Sequence, residues 1–552
     1  MKNLQKNHYL ILAGWFLINL LQAVFTGLHS DESYYWLYSQ NMAWGYFDHP
    51  PMIALLIHLG HLILPGEIGV RLILIILSTI TLAVILNELN EQKDLLFLSV
   101  FVFSFPLIHT HIAGFIALPD IPLLFFTLIF LILYKKFLNK PTTRLSVLLA
   151  IVVAAMIYSK YHAFLIIGFT VLSNLKLLRQ KYFRIVVILT IILLIPHILW
   201  QADNEFPTFK YHLIERTKPF RLKYVFPYLL DQLIMAGPLT GVLVFWKLAG
   251  FKIKNKFDRA LIFNIAGFYI LFFLMSFKNR IEAHWTAAIT PMMMLIVYPL
   301  ISSDPKIKIW FKRLALPVII LMFLARIYFA LDIIPNIGHT KITFYNRKEH
   351  AMEIKDMAGG RTVGFFNNYA AISNYIFYTG DSAAYLATPY YRYSQYDLWD
   401  YEKCAEGEEV FAIQSKDLDP PNLQRMATGK MRGYIIIEKF QSLEGLKINL
   451  VKTEKNKWAI KLYFILTNTN NHPIYTDHVS EPALGIQQDK REISFVPLTS
   501  GSEKIRIEPG EKATIEITVP EYKLDKKIPI IFYTRSKDMV RGDLISFKYD
   551  QL

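Results

Sequence analysis

Apolar runs long enough to cross a bilayer recur from Tyr9 to about residue 332, and no other feature constrains this chain as strongly. A span needs about 20 apolar residues. Backbone in hydrocarbon must satisfy its own hydrogen bonds, so such runs fold as helices. They read as 9–28, 68–86, 95–113, 121–134, 145–158, 162–175, 185–200, 227–246, 260–277, 284–301 and 314–332, which makes about eleven spans. The first follows Lys2 and Lys6 and resembles a signal peptide until its exit, His29-Ser30-Asp31-Glu32, which is no small-residue cleavage site. It therefore reads as an uncleaved anchor.

Charge distribution orients the spans. Residues 1–332 carry 30 Lys and Arg against 16 Asp and Glu, and residues 333–552 carry 29 against 28, so +14 of the net +15 lies in the apolar part. With the N-terminus cytoplasmic, basic clusters fall in alternate loops: Lys135 to Arg144, Lys176 to Arg184, Lys252 to Arg259, and Lys306 to Arg313. That is the positive-inside pattern. It also excludes a nucleic-acid partner, for which the basic residues would gather on a soluble domain. With an odd span count, loops 29–67, 109–120, 201–226 and 278–283 lie outside together with residues 333–552, on a multi-pass plasma (inner) membrane protein.

The remainder divides in two. Residues 333–449 mix helix and strand signals, with strand candidates at Thr362–Phe366, Val410–Ile413 and Tyr434–Ile437, and read as an α/β module. Residues 450–552 hold strand-like runs at Trp458–Leu466, Thr514–Val519 and Pro529–Tyr533, separated by Asn, Pro, Gly and Lys clusters, and read as a β-sandwich. Cys404 is the only cysteine, so no intrachain disulfide forms.

The outside loops carry the chemistry. Loop 29–67 holds Asp31-Glu32 directly beyond a span, where unpaired carboxylates are costly. It also holds Trp44-Gly45-Tyr46-Phe47-Asp48-His49-Pro50-Pro51. Tyr34, Tyr35, Trp36, Tyr38, Trp44, Tyr46 and Phe47 would offer rings for a headgroup or sugar, or an ordinary aromatic belt. Asp120, in Leu118-Pro119-Asp120, has an equally ordinary reading as a helix cap. Its interest is that it shares the outer side with Asp31 and Asp48.

Loop 201–226 breaks the charge rule with Lys210, Arg216, Lys218, Arg221 and Lys223 against three acids, which suits a phosphate or anionic headgroups. Arg71 and Arg326 sit in the outer parts of their spans as further phosphate partners or snorkelling side chains. Lys160, Glu282 and His284 are weaker candidates, and His212 with Asp48 offers a His/carboxylate pair for a divalent metal, Zn or Mg. Neither a phosphate-binding Gly-rich loop, a dinucleotide fingerprint nor a Gly-x-Ser-x-Gly elbow occurs.

Asp31-Glu32 after the first span, Trp44 to Pro51, and Leu118-Pro119-Asp120 together resemble the first outer loops of the polyprenyl-phosphate-sugar-dependent glycosyltransferases of the membrane-embedded C-type fold. That family includes protein O-mannosyltransferases and bacterial aminoarabinose transferases of lipid A. The resemblance spans roughly the first 330 residues, and Glu282-Ala283-His284-Trp285 is similar to a weaker family feature.

It implies an α-helical polytopic membrane protein with an extracytoplasmic α/β plus β-sandwich region. The implied activity is inverting transfer of a sugar from a polyprenyl phosphate to a lipid, glycan or protein acceptor. Asp31 would be the catalytic carboxylate, with Asp120 the second acid and Glu32 beside them. His49, Lys210, Arg216, Lys218, Arg221 and Arg71 would serve the donor phosphate, and Asp48 with His212 a metal. In aminoarabinose transferases the corresponding loop reads Phe-Glu-Lys-Pro, and Asp48 and His49 stand here in place of Glu and Lys. The rival class is a multispan transporter or lipid flippase. Gly/Pro-broken helices and midplane charges would mark one, whereas these acids lie at loop edges.

Overall fold

The structure is a computed structural model that describes residues 4–89, 94–210, 220–331, 344, 346–389, 391, 393–413, 422–425, 431–456, 458–489, 491–501 and 505–552. The chain forms two compact units, Met1–Tyr345 and Asn346–Leu552.

The first unit is helical. Its elements are α1 (Lys6–Phe25), α2 (Ser30–Gln40), α3 (Met52–Ile63), α4 (Gly66–Leu89), α5 (Leu95–Phe103), α6 (Pro106–His109), α7 (Asp120–Asn139), α8 (Thr143–Ser159) and α9 (Ala163–Ser173). There follow α10 (Lys181–Asp203), α11 (Pro207–Lys210), α12 (Val225–Met235), α13 (Gly241–Ala249), α14 (Lys256–Ser276), α15 (Thr290–Ser302) and α16 (Pro305–Ala330).

Seven stretches among the described residues are long and apolar enough to cross a membrane: α1, α4, α7, α10, α14, Ala283–Ser302 and α16. The remaining expected spans are shorter or interrupted helices. Span 95–113 breaks at Ser104-Phe105-Pro106 into α5 and α6, with Pro106, which lacks an amide hydrogen, in the first turn of α6. Span 227–246 breaks at Gly237-Pro238, where Gly237 has φ +121°. Helices α8 and α9 are apolar but short, as is α3, whose residues 52–63 were not read as a span.

Loop 110–119 is pressed onto α4. Gly114 makes this approach feasible, since at φ +87° a Cβ would lie 2.7 Å from the Leu74 carbonyl oxygen.

The second unit opens with α17 (Arg347–Ala358), β1 (Thr362–Phe366), α18 (Tyr369–Thr379), β2 (Ala383–Leu386), β3 (Val410–Ile413), β4 (Asn422–Arg425) and β5 (Met431–Ile437). The sheet order is β2-β1-β3-β5-β4, with β1 parallel to β2 and β3 and the remaining pairs antiparallel.

Next come β6 (Leu446–Lys455), β7 (Ala459–Asn468), β8 (Ile474–Tyr475), β9 (Ala483–Gln488), β10 (Arg491–Pro497), the short α19 (Leu498–Gly501), β11 (Arg506–Ile507), β12 (Lys512–Pro520), β13 (Ile530–Arg535) and β14 (Arg541–Phe547). They form sheets β12-β7-β6 and β10-β9-β13-β14 with a small β11-β8 pair. Strict alternation buries Ile460, Leu462, Phe464 and Leu466 of β7 and Ala513, Ile515, Ile517 and Val519 of β12 in one core.

Candidate active site

The site is built on α2, whose start is over-determined. His29 caps the helix, accepting the Asp31 amide at Nδ1 (3.2 Å), while Glu32 Oε2 accepts the His29 amide (2.7 Å). Glu32 is fully buried. Its Oε1 also accepts Arg71 Nε and the Ala117 amide, each at 2.7 Å, and its Oε2 accepts Arg71 Nη2 at 2.6 Å. Arg71, equally buried, gives its other donors to the carbonyls of Ala23, Thr26 and Gly27.

All five guanidinium donors and the usual acceptor positions of Glu32 are thereby engaged. Arg71 gives its donors to Glu32 and to backbone carbonyls, and Glu32 gives its oxygens to Arg71 and to two backbone amides. Together they fix the first turn of α2 against α4 and loop 110–119.

Asp31, by contrast, keeps its side chain about a third exposed, 3.7 Å from His29 Nδ1. On the helix it shares a face with Tyr34, Tyr35 and Tyr38. Those rings are buried and meet the next part of the loop: Tyr34 Oη donates to Asp48 Oδ2 (3.4 Å), Tyr35 Oη bonds His49 Nε2 (2.9 Å), and Tyr38 stacks on Tyr46 at 4.0 Å. Tyr34, Tyr35, Tyr38, Tyr46 and Phe47 are thus core packing, not an open ring platform, whereas Trp44 is exposed.

The Trp44–His49 stretch is clamped from α10 and α11. His197 Nδ1 bonds the Trp44 carbonyl (2.7 Å), and Thr208 Oγ1 donates to the Tyr46 carbonyl (3.3 Å). Gly45 lies so close to Trp200 that a Cβ would stand 2.4 Å from its ring.

Asp120, in the first turn of α7, is buried, and Lys160 at the end of α8 grips both its oxygens at 2.8 Å. His111 and His284 stack beside it, ring centroids 4.4 Å apart, and both act electrostatically on the Asp120 carboxylate. His29 in turn acts on His111, and Asp48 on Tyr161 next to Lys160. Loop 110–119 therefore joins the two poles, presenting His111 to Asp120 and the Ala117 amide to Glu32.

Lys160 and His284 were weak candidates in the sequence, and His111 was missed. Its signal is His109-Thr110-His111 in the loop that ends at Asp120.

Of the basic loop, Lys210 pairs at the surface with Glu205 (2.7 Å). The backbone amide of exposed Arg221 donates to the Phe277 carbonyl. His212, Arg216 and Lys218 lie outside the described residues. Among the described residues no three His, Cys, Asp or Glu side chains converge as metal ligands, and Asp48 and His49 already bond Tyr34 and Tyr35. The described donor set does not fit the expected metal.

Residues 48–200 match the family model of the dolichyl-phosphate-mannose-protein mannosyltransferases. Among solved structures, the chain is similar to ArnT from Cupriavidus metallidurans bound to undecaprenyl phosphate, with TM-score 0.56 and 14% identity over 78% of this chain and 98% of that one. The apo state of ArnT gives TM-score 0.53 and 14% identity over 74% and 93%. The chain has the C-type glycosyltransferase fold. No curated protein matches the sequence. The first unit ends at residue 345 of 552, so a match over 78% of the chain extends past the roughly 330 residues of the sequence resemblance into the second unit.

Proposed function

We propose that this chain is an inverting glycosyltransferase that moves a sugar from a polyprenyl phosphate to a lipid, glycan or protein acceptor at the outer face of the plasma membrane. The observation that carries the reading is the pairing of two unlike poles across one loop. One is a partly exposed carboxylate, Asp31, held by a rigid helix start. The other is the Lys160, His111 and His284 group around Asp120.

Asp31 takes the proton of the acceptor hydroxyl as its oxygen bonds to the anomeric carbon. The bond from that carbon to the phosphate oxygen breaks on the opposite face, and its electron pair leaves with the polyprenyl phosphate. Lys160 and the imidazoles supply donors where that negative charge gathers, while Asp120 holds Lys160 in place. A single displacement of this kind inverts the anomeric centre. The family match and the fold shared with a structure that binds undecaprenyl phosphate support the donor class.

The test is transfer from a radiolabelled undecaprenyl-phosphate sugar by purified wild type and Asp31→Asn, with the anomeric configuration of the product read by NMR. Loss of transfer in the variant with inversion in the wild type is the expected result. Full transfer by Asp31→Asn removes its role as base.

A further inference from the structure

The second unit contains a polar cavity whose chemistry the transfer site does not use. Its open chamber, of about 240 Å³, is bordered by Trp399, Asp397, Glu444 and Asn470. Asp397 and Glu444 also line a smaller chamber of about 20 Å³, closed by Glu402, Tyr401 and Arg541. The smaller chamber is the size of one water or one hydroxyl group.

Arg541 makes it unusual. This side chain is 5% exposed, gives Nη2 to Asp397, and lies over the Tyr393 ring at 4.6 Å. Among the described residues its Nε and Nη1 have no hydrogen-bond partner. Buried donors left unmade are costly, and native structures fill them with water or a ligand. Asn470 Nδ2 is likewise unpartnered.

The charges around the open chamber are otherwise matched: Lys403 with Asp400, Lys447 with Asp543, and His472 with Glu406. Burial pushes the Glu402 carboxyl well above its usual range, which favours its neutral form. The carboxylates that line the cavity oppose the approach of an anion. For a metal cation the guanidinium is the wrong neighbour, and among the described residues no ligand cluster forms. What fits is a neutral group that both accepts from Arg541 and donates to a carboxylate, which a hydroxyl does. Trp399, held edge-on by Tyr396 at 5.6 Å, supplies an apolar face at the mouth.

We propose that this two-chambered cavity is a binding site for a neutral sugar ring, separate from the transfer site, with one ring hydroxyl in the inner chamber between Arg541 and Glu444 and the ring against Trp399. The site stands on the second unit alone and does not depend on the reaction assigned to the first.

The test uses the full chain in lipid nanodiscs, avoiding sugar-based detergents. It is titrated with mannose, galactose, glucose, arabinose and N-acetylglucosamine, with glycerol phosphate and putrescine as charged controls, by saturation-transfer NMR. At least one neutral sugar is expected to bind, with affinity about tenfold lower in Glu444→Gln and in Trp399→Phe. Asp31→Asn is expected to bind that sugar as the wild type does. Glu444→Gln replaces an acceptor oxygen of the inner chamber by a donor and keeps the side-chain shape, so it tests the site in a folded protein. Binding by none of the five sugars, by the charged controls only, equally by both cavity variants, or lost in Asp31→Asn overturns the proposal. A structure showing a water only in the inner chamber after soaking with the sugars does so too.

Discussion

Replacing Lys160 by methionine removes the cation that holds both oxygens of Asp120 at 2.8 Å, in a pair whose side chains are 8% and 6% exposed. A buried carboxylate left without its partner costs about 3–5 kcal/mol, so Lys160→Met should lower the melting temperature of the first unit by about 5–15 °C. Lys160→Met combined with Asp120→Asn leaves no orphaned charge and should recover most of that loss, because removing both members of a buried pair is close to neutral. Chemistry should not follow stability. Without the ammonium, the departing phosphate loses one preorganised donor, which is worth about 10²–10³-fold in rate. Scanning fluorimetry and single-turnover transfer on the three proteins separate the two effects. Recovery of transfer in the double variant, in step with its melting temperature, would refute the reasoning and leave the pair a strut.

Further outcomes follow from neighbouring residues. Asp31→Asn should reduce transfer by about 10²–10⁴-fold with little change in melting, because that side chain is a third exposed and pairs loosely with His29. Arg71→Met should act in the opposite sense, destabilising the fold by about 3–5 kcal/mol through the orphaned Glu32, as a thermal melt will register. His111→Phe and His284→Phe keep ring stacking but remove ring nitrogens from Asp120, so both should lower the transfer rate more than donor affinity, measured from kcat and KM.

In the second unit, burial and then the negative charge of Asp397 push the Glu444 carboxyl up to about 7. An acid raised on folding binds its proton more tightly in the folded state. Its stabilising effect is therefore complete below the unfolded value near pH 4.5 and is lost as pH rises through about 7, at up to about 1.4 kcal/mol per pH unit. The melting temperature of this unit should fall between pH 5 and pH 8, and Glu444→Gln should flatten that slope; an unchanged slope in the variant would assign it to other groups.

What the sequence makes legible follows from period and length. The long spans are readable because about 20 apolar residues have one economical solution in a membrane, and β7 and β12 because their two-residue period survives into the burial pattern. The interruptions of 95–113 at Phe105-Pro106 and of 227–246 at Gly237-Pro238 are not legible, because hydropathy does not register a missing amide hydrogen. The aromatic loop was misread for a related reason. Tyr38 and Tyr46 look alike on either side of a turn, and only the folded loop shows that Tyr46 packs inward onto Tyr38 of α2. Net loop charge likewise does not reveal that Glu205 lies 2.7 Å from Lys210.

The pair Asp31-Glu32 shows most plainly what a linear motif leaves out. Successive residues of a helix are rotated by about 100°, so two adjacent acids cannot face the same surroundings. At this helix start the rotation turns Glu32 into the protein, onto Arg71 and the Ala117 amide, and leaves Asp31 at the edge beside His29. A buried acid with every lone pair engaged is a poor base and a strong strut, while its neighbour, backed by that strut, is held at a partly exposed position. If that division is right, exchanging the two in register should fail: Asp31→Ala, even with Glu32 intact one residue away, will not transfer sugar. Transfer rescued in Asp31→Ala by the added Arg71→Met, which frees Glu32, would show instead that exposure alone, and not helix phase, selects the base.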